Sequence, residues 1–240
     1  MIAYCKRKVH KLEEKIYTIP VNEAFDENDG CPFCRLKRIL EDTERDLIMG
    51  ASMMEPDIRI KTNKLGFCRK HFNKMFEMNN RLSLALMLES HLDEVIDKTV
   101  IWKDSLLGKD NTKKAHENME EIRKSCYICQ KTEEKFEKML LCSIILWQNG
   151  NEFKEKMSKQ PYFCLEHAGM FLEYAKLKLD KKAFAAFAQQ LSDIQTKYIN
   201  SLRDDVSWFC KKFDYRYDAE PWGNSKDSVE RTIKVLQSDY

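Results

Sequence analysis

The sequence predicts an all-α fold, and two of its features support that expectation. Glycine and proline are scarce, with 7 and 5 of 240 residues, whereas β-sandwiches and collagen-like chains need many more turn formers. Apolar residues recur every three to four positions over long stretches, which is the period of an amphipathic helix. The hydrophobic content of 43% supplies enough apolar surface for a core and argues against wholesale disorder.

The first half of the chain is expected to hold an N-terminal helix, an extended arm and three further helices. Residues 1–15 are polar and predict a short helix, whereas residues 16–21 are expected to be extended, because Pro20 and its β-branched neighbours resist helix formation. Residues 22–30 are acidic and turn-like. The predicted helices cover residues 32–50, 69–78 and 81–107, with a loop at 51–67 that includes a short extended piece at 58–60.

The second half replays this order after a polar linker at residues 108–118. The predicted helices cover residues 127–147, 165–177, 181–212 and 228–236, with a loop at 149–160 and an irregular stretch at 214–225. We therefore expect four segments within one compact domain: an N-terminal helix and arm (1–30), two helical repeats (31–110 and 118–213) and a C-terminal segment (214–240). The repeats are expected to pack as a pseudo-symmetric helical bundle.

A cysteine and histidine motif occurs twice and marks the two repeats. Each copy is a C-x2-C pair followed by a C-x2-H pair; the residues are Cys31, Cys34, Cys68 and His71, then Cys126, Cys129, Cys164 and His167. The copies are offset by 95 positions at the first cysteine and by 96 at the histidine, and the chain has only five histidines. A duplicated set of metal ligands explains this coincidence better than chance.

The ligand set favours zinc, with two ions expected per chain. Two ligands three residues apart can face one point across a turn, and two such pairs supply four tetrahedral corners; thiolate and imidazole together suit Zn²⁺. Three alternatives are less favoured. Structural disulfides would need an oxidising compartment, and a redox-active C-x2-C pair normally follows a strand, which the sequence does not predict here. Iron–sulfur clusters are bound mostly by cysteine, so one histidine per site would be unusual. Covalent haem is excluded because Arg35 and Gln130, not histidine, follow the two C-x2-C pairs.

The sequence leaves open which pairs share an ion. Sequential pairing gives one site per repeat, and duplication favours it, since an ancestral repeat had to be stable alone. Pairing like with like would give one all-cysteine site and one site of two cysteines and two histidines. A swapped pairing joins the first C-x2-C to the last C-x2-H and the two middle pairs to each other. In the sequential and swapped schemes each site has three cysteines and one histidine.

Charge and hydropathy restrict the partners and the compartment. The chain has 41 basic and 39 acidic residues, so it lacks the excess positive charge that nucleic-acid binding usually requires. The longest apolar stretch, residues 139–147, is too short to span a membrane. The N-terminus carries charged residues from Lys6 onward and shows no secretory signal. These observations predict a cytoplasmic protein with no membrane span; Cys142 and Cys210 are expected to be packed in its core.

Several segments resemble a bacterial single-domain family of unknown function. In the first half they are IYTIPVNEAF from Ile16, CPFC from Cys31 and TNKLGFCRKHF from Thr62. In the second half they are KKFDYR from Lys211 and PWG from Pro221. The resemblance covers essentially the whole chain. It implies no activity.

The residues favour a non-enzymatic role in protein–protein interaction, because four protein ligands close a zinc site whereas a catalytic site keeps a position for water. The candidate partner contacts are Arg59, Lys61, Lys64, Tyr215, Arg216 and Trp222. Homo-oligomer formation stays open. One alternative is a thiol and zinc redox sensor. Another is a metal-dependent enzyme with an open coordination position, in which Glu166 would be the base and His91 or His116 would carry protons.

Overall fold

The computed structural model describes residues 16–104 and 109–238, and the described chain is predominantly helical. Residues 16–26 are helical and are named α1. Ten further helices follow: α2 (Pro32–Met49), α3 (Pro56–Leu65), α4 (Arg69–Glu77), α5 (Arg81–Thr99), α6 (Thr112–Lys124), α7 (Tyr127–Asn149), α8 (Asn151–Lys159), α9 (Leu165–Lys178), α10 (Lys181–Lys211) and α11 (Ser228–Gln237). The predicted all-α fold is confirmed.

Short elements complete the described chain. Three 3₁₀ helices cover Ala51–Met54, Tyr215–Tyr217 and Gly223–Ser225. Two antiparallel strands of two residues, β1 (Lys103–Asp104) and β2 (Lys109–Asp110), pair Lys103 with Asp110. None of the helices in the described ranges is long and apolar enough to cross a membrane.

The predicted extended arm at residues 16–21 is wrong, because this stretch is helical. Val21 and Phe25 lie on one face of α1 and are buried. The Phe25 ring lies 4.7 Å from the ring of Phe153 and 5.5 Å from that of Phe33. Burial of this face outweighs the weak local preference of the β-branched residues and proline, as tertiary packing often does. The predicted helix at 1–15 lies outside the described residues.

Three short helices occupy stretches for which the sequence predicted no helix. Helix α3 covers most of the predicted loop at 51–67, including its supposed extended piece; α6 begins inside the predicted linker, and α8 fills the predicted loop at 149–160. Each has few buried side chains: Thr62 in α3, Ala115 in α6, and Phe153 and Met157 in α8. The three helices have only 10, 13 and 9 residues, so few turns repeat the apolar pattern from which a helix is predicted.

The described chain divides into two compact units. The split unit comprises Met1–Arg38 and Phe136–Tyr240, and the continuous unit comprises Ile39–Lys135. Each unit therefore contains segments from both copies of the motif.

The split unit has an aromatic core. Seven phenylalanine side chains in it are buried: Phe25, Phe33, Phe136, Phe153, Phe163, Phe171 and Phe187. The Phe171 ring lies 4.8 Å from the ring of Phe33 and 4.7 Å from that of Phe187, both edge to face. Edge-to-face pairs stabilise a core beyond the area that they bury.

The continuous unit has a mixed aliphatic, sulfur-containing and aromatic core. Its buried members are Ile48, Met49, Phe67, Met75, Leu84, Met87, Cys126, Tyr127 and Ile128. The amide of Tyr127 donates to the carbonyl of Gly66 at 3.0 Å, which fixes the start of α7 against the turn before α4. This contact brings together two helix starts that carry cysteine motifs.

Candidate metal centres

All four cysteine motifs stand at the N-termini of helices. The first cysteine of each pair directly precedes a helix, and its carbonyl accepts the first hydrogen bond of that helix, which defines an N-cap. The four N-cap residues are Cys31, Cys68, Cys126 and Cys164. The second ligand of each pair follows three positions later, in the first helical turn. Side chains at these two positions face the same point, as they do in a capping box, and the partial positive charge of the helix N-terminus favours a thiolate.

The first centre lies in the split unit, where the starts of α2 and α9 meet. It consists of Cys31, Cys34, Cys164 and His167, and all four residues are buried. The Nδ1 atom of His167 lies 3.7, 3.4 and 3.1 Å from the sulfurs of Cys31, Cys34 and Cys164, respectively. The sulfurs of Cys34 and Cys164 are 3.6 Å apart.

The second centre lies in the continuous unit, where the starts of α4 and α7 meet. It consists of Cys68, His71, Cys126 and Cys129. The Nδ1 atom of His71 lies 3.3 Å from the sulfurs of Cys68 and Cys126 and 3.4 Å from that of Cys129. The sulfurs of Cys68 and Cys129 are 3.8 Å apart.

These distances are close to the edges of a zinc tetrahedron. Bonds of about 2.3 Å to sulfur and about 2.0–2.1 Å to nitrogen place two sulfurs about 3.8 Å apart, and a sulfur and a nitrogen about 3.6 Å apart. Within each centre all four ligand atoms lie within 4.8 Å of one another. The sulfur separations are far longer than the ~2.05 Å of a disulfide, and no disulfide joins the cysteines in the described ranges. Each centre could hold a metal ion.

The favoured sequential pairing is wrong, because the structure has the swapped pairing. The first copy gives Cys31 and Cys34 to the first centre, and the second copy gives Cys126 and Cys129 to the second. The C-x2-H pairs are exchanged in the same way. The spacing of the ligands is the same in the sequential and swapped schemes and cannot distinguish them. The sequential scheme was favoured only because an ancestral repeat was expected to complete its own site.

A buried carboxylate supports the histidine of the second centre. Glu41 on α2 is only 4% exposed, and its Oε1 atom lies 3.6 Å from Nε2 of His71. Because Nδ1 of His71 faces the three sulfurs, the opposite ring nitrogen faces this carboxylate. A carboxylate behind a metal-binding histidine fixes the orientation of the ring and raises its basicity.

Two lysines balance the charge of Glu41. The ammonium groups of Lys70 and Lys74 donate to its carboxylate at 2.9 and 3.0 Å. Burial opposes ionisation of Glu41, but the nearby imidazole of His71 and the hydrogen bonds from Lys70 and Lys74 outweigh it and hold the pKa of Glu41 well below its usual range. Burial also lowers the pKa of His71, but its contacts with the Cys126 sulfur and the Glu41 carboxylate raise that pKa to about 9.

The first centre has an aromatic surrounding in place of this carboxylate. The ring of His167 lies 5.1 Å from the ring of Phe136 and 6.0 Å from that of Phe33. Phe136 lies ten positions after Cys126, the N-cap of α7, and Glu41 lies ten positions after Cys31, the N-cap of α2. The equivalent helix position therefore faces the histidine in both centres, with a carboxylate in one and an aromatic ring in the other.

The thiols of each centre shift one another's pKa in opposite directions. In the second centre a hydrogen bond from Cys129 lowers the pKa of Cys126 to about 3, and the contact with Cys126 raises the pKa of Cys129 above its ordinary range. In the first centre burial raises the pKa of Cys31. The pKa of Cys164 is lowered by hydrogen bonds, first that with Cys31 and then that with Cys34. A divalent cation would supply the charge that stabilises all the thiolates together.

The residues suggested for an enzyme lie outside both centres. Glu166 Oε2 accepts a hydrogen bond from Ser238 Oγ at 2.8 Å, and its Oε1 atom lies 3.5 Å from Nζ of Lys37. His91 Nδ1 lies 2.6 Å from the carbonyl oxygen of Asn63. His116 is exposed on α6. None of the three contributes a ligand atom to either centre.

The two other described cysteines differ in burial. Cys142 is 4% exposed, as expected for a core residue. The expectation that Cys210 is packed is wrong, because its side chain is exposed near the end of α10.

The first group of candidate partner contacts lies on a helix and not in a loop. Arg59, Lys61 and Lys64 belong to α3. Lys61 and Lys64 are exposed, whereas Arg59 is half-buried and donates to Ser90 Oγ at 2.7 Å. Arg59 therefore contributes to the contact of α3 with α5.

The second group surrounds the end of α10. Tyr215 is 83% exposed, and the exposed Arg216 pairs with Asp214. Trp222 is half-buried, and its ring lies 5.7 Å from that of Phe209.

A family model for a family of unknown function, DUF6062, matches residues 12–240. The chain belongs to this family. The match confirms the resemblance found from the sequence motifs, and it spans both cysteine motifs and the irregular C-terminal segment. No curated protein and no solved structure matches the chain. Because the family has no known function, the function must be argued from the residues.

Sequence reasoning missed Glu41, although a signal was present. Lys37, Glu41 and Glu44 follow one another at helical spacing on the stripe of α2 that also carries Phe33 and Ile48. All three charged residues are buried. A charged residue on an apolar stripe is expected to have a specific partner, and this pattern could have pointed to a group beside one of the sites.

Proposed function

We propose that this protein binds one zinc ion in each of its two centres and acts as a non-enzymatic interaction or adaptor protein. The observation that carries the proposal is the convergence of three cysteine sulfurs and one histidine nitrogen in each centre, at the distances of a zinc tetrahedron. Four protein ligands fill the coordination sphere of zinc and favour a structural ion over a catalytic one. The ligands are Cys31, Cys34, Cys164 and His167 in the first centre, and Cys68, His71, Cys126 and Cys129 in the second.

The chemistry of the donor set supports zinc over other metals. Thiolate and imidazole ligands in a four-coordinate arrangement suit Zn²⁺, while magnesium and calcium prefer oxygen. The thiols must stay reduced to bind the ion, and a reducing compartment such as the cytoplasm meets that condition.

The long loops that each centre would close support a structural role for the ions. Cys34 and Cys164 are 130 positions apart, and His71 and Cys126 are 55 positions apart. Closing a loop costs entropy that grows with its length, so a link across such distances restricts the unfolded chain strongly. Structural zinc sites contribute free energies of about 10–16 kcal/mol in zinc-finger peptides.

The segment after α10 offers the best candidate contact surface for a partner. Phe213 and Tyr215 are 75% and 83% exposed, and exposed aromatic residues often anchor interfaces. The preceding residue, Lys212, is buried and donates from Nζ to the carbonyls of Tyr217, Asp218 and Glu220. The aromatic pair is therefore presented by a segment with a fixed conformation.

The metal content of the purified, untagged protein tests the zinc assignment. Plasma mass spectrometry should find two zinc ions per chain, and an anaerobic absorption spectrum should show no visible band. Iron with a brown chromophore would overturn the assignment to zinc. Folded protein without any metal would overturn the metal centres altogether.

A pair of substitutions tests the interaction role. Tyr215→Ala should leave zinc content and thermal stability unchanged and weaken capture of a protein partner from cell extract. Trp222→Ala should lower thermal stability, because its ring packs against Phe209. Analytical ultracentrifugation of the pure protein measures its oligomeric state and shows whether the partner is a second copy of the chain. Unchanged capture by the Tyr215 variant, together with unchanged sedimentation, would argue against this surface.

A further inference from the structure

The two centres differ in their access to solvent. Every ligand of the first centre is buried, with Cys34 and Cys164 only 3% and 0% exposed. In the second centre His71 and Cys126 are buried, but Cys129 is exposed and Cys68 is half-exposed. One edge of the second centre, formed by Cys68 and Cys129, therefore faces solvent.

We infer that the second centre is a peroxide-reactive thiol site at which oxidation of Cys129 and Cys68 releases the bound zinc, whereas the first centre keeps its ion. This inference rests on the proposed function, since it requires zinc in both centres. Susceptibility of a cysteine to oxidation follows its thiolate character and its exposure. A thiolate bound to zinc has lost its proton in both centres, so exposure is the property that separates them.

The reaction at the second centre consumes one molecule of hydrogen peroxide. The Cys129 sulfur attacks one peroxide oxygen; an S–O bond forms, the O–O bond breaks, and hydroxide leaves and takes up a proton to become water. The sulfur of Cys68 then attacks the oxidised sulfur; an S–S bond forms, and the oxygen leaves as a second water after protonation. Two thiolates are oxidised to one disulfide and peroxide is reduced to two waters. Cys68 and Cys129, two of the four residues that would hold a zinc ion, are then no longer thiolates.

The geometry assigns the second step to Cys68. Its sulfur lies 3.8 Å from that of Cys129 and is also on the solvent side. The sulfurs of Cys68 and Cys126 both lie 3.3 Å from Nδ1 of His71, but Cys126 is buried and its sulfur also accepts from the amide of Cys129 at 3.5 Å. Cys126 is therefore less able to move than Cys68.

Limited oxidation of the zinc-loaded full chain tests the inference. Hydrogen peroxide is added in stoichiometric steps, released zinc is followed with a chelating dye, and peptide mass spectrometry locates the oxidised cysteines. We expect loss of one of the two zinc ions, together with a disulfide between Cys68 and Cys129, while Cys31, Cys34 and Cys164 stay reduced. A Cys210→Ser variant should give the same release, because Cys210 is exposed but belongs to neither centre.

The outcomes separate this inference from the proposed function. Protein that holds no zinc before oxidation contradicts the proposed function itself. Protein that holds two zinc ions but loses both at the same rate, or is first oxidised at the first centre, contradicts only the inference. A disulfide between Cys126 and Cys129 would overturn the role of Cys68. No zinc release until the protein unfolds would overturn the reactivity of Cys129.

Discussion

Cys34 and Cys164 are 130 positions apart in the sequence, yet their sulfurs lie 3.6 Å apart. They belong to different copies of the duplicated motif, and the same exchange joins Cys68 to Cys129 at 3.8 Å. Neither copy provides a complete centre from its own residues. A single repeat with this pairing would need a second copy to complete its ligands, so the two repeats depend on each other for every metal ion that the proposal assigns.

Substitution of Glu41 should weaken the second centre selectively. Glu41→Gln removes the charge behind His71 while keeping the shape of the side chain, and loss of such a group typically lowers metal affinity about 10- to 100-fold. Competition with a zinc chelator measures the change. Glu44→Gln is the matched control, because Glu44 is also buried on α2 but pairs with Lys135 and not with His71. Equal effects of the two variants would show that Glu41 acts only through general stability.

Zinc affinity of the second centre should rise with pH. Contacts with Cys126 and burial raise the pKa of Cys129, and that of His71 is about 9. Both groups therefore hold a proton in the metal-free protein at neutral pH and must release it to bind zinc, whereas Cys126, with a pKa of about 3, is already ionised. Release of these two protons alone makes affinity rise at least about 100-fold per pH unit below pH 8.

A variant that keeps only the second centre, Cys34→Ser with Cys164→Ser, allows this slope to be measured by chelator competition at several pH values. Calorimetry in buffers of different ionisation enthalpy counts the released protons independently. An affinity that does not change between pH 6 and pH 8 would contradict the prediction.

Gly66→Ala should destabilise the continuous unit. Gly66 has a φ of +56°, and a Cβ atom at this position would lie 2.5 Å from Nε2 of His91. The backbone strain alone costs about 1–3 kcal/mol. The control is Gly169→Ala, where a Cβ meets no atom within 4 Å inside α9, and which should stabilise by about 0.5–1 kcal/mol. Urea unfolding of the zinc-loaded variants measures both changes, and a Gly66 variant as stable as the parent would contradict this account of the turn.

The helical fold and the eight residues that form the two cysteine and histidine groups could be predicted from the sequence, because both depend on local patterns. Apolar periodicity revealed the long helices such as α10, and the three-residue spacing of each pair placed its ligands at a helix start. The helical state of residues 16–26 could not be predicted, since it depends on the contact of Phe25 with Phe33 and Phe153. The pairing of the motifs also lay beyond the sequence, because it is a property of the tertiary fold and leaves the spacing unchanged.

Two double variants test the exchanged pairing directly, with zinc per chain determined by plasma mass spectrometry on the soluble protein. Cys34→Ser with Cys164→Ser removes two ligands from one centre, whereas Cys34→Ser with Cys68→Ser removes one ligand from each. If either variant is insoluble, disulfide mapping after mild oxidation of the parent protein tests the same pairing, because the first disulfides form between cysteines of the same centre.

The exchanged pairing predicts one zinc ion in the variant of Cys34 and Cys164 and none in the variant of Cys34 and Cys68. Sequential pairing predicts the reverse, since Cys34 and Cys68 would then share one ion. One zinc ion in the variant of Cys34 and Cys68, with none in the other, would contradict the central claim that each centre takes its ligands from both repeats.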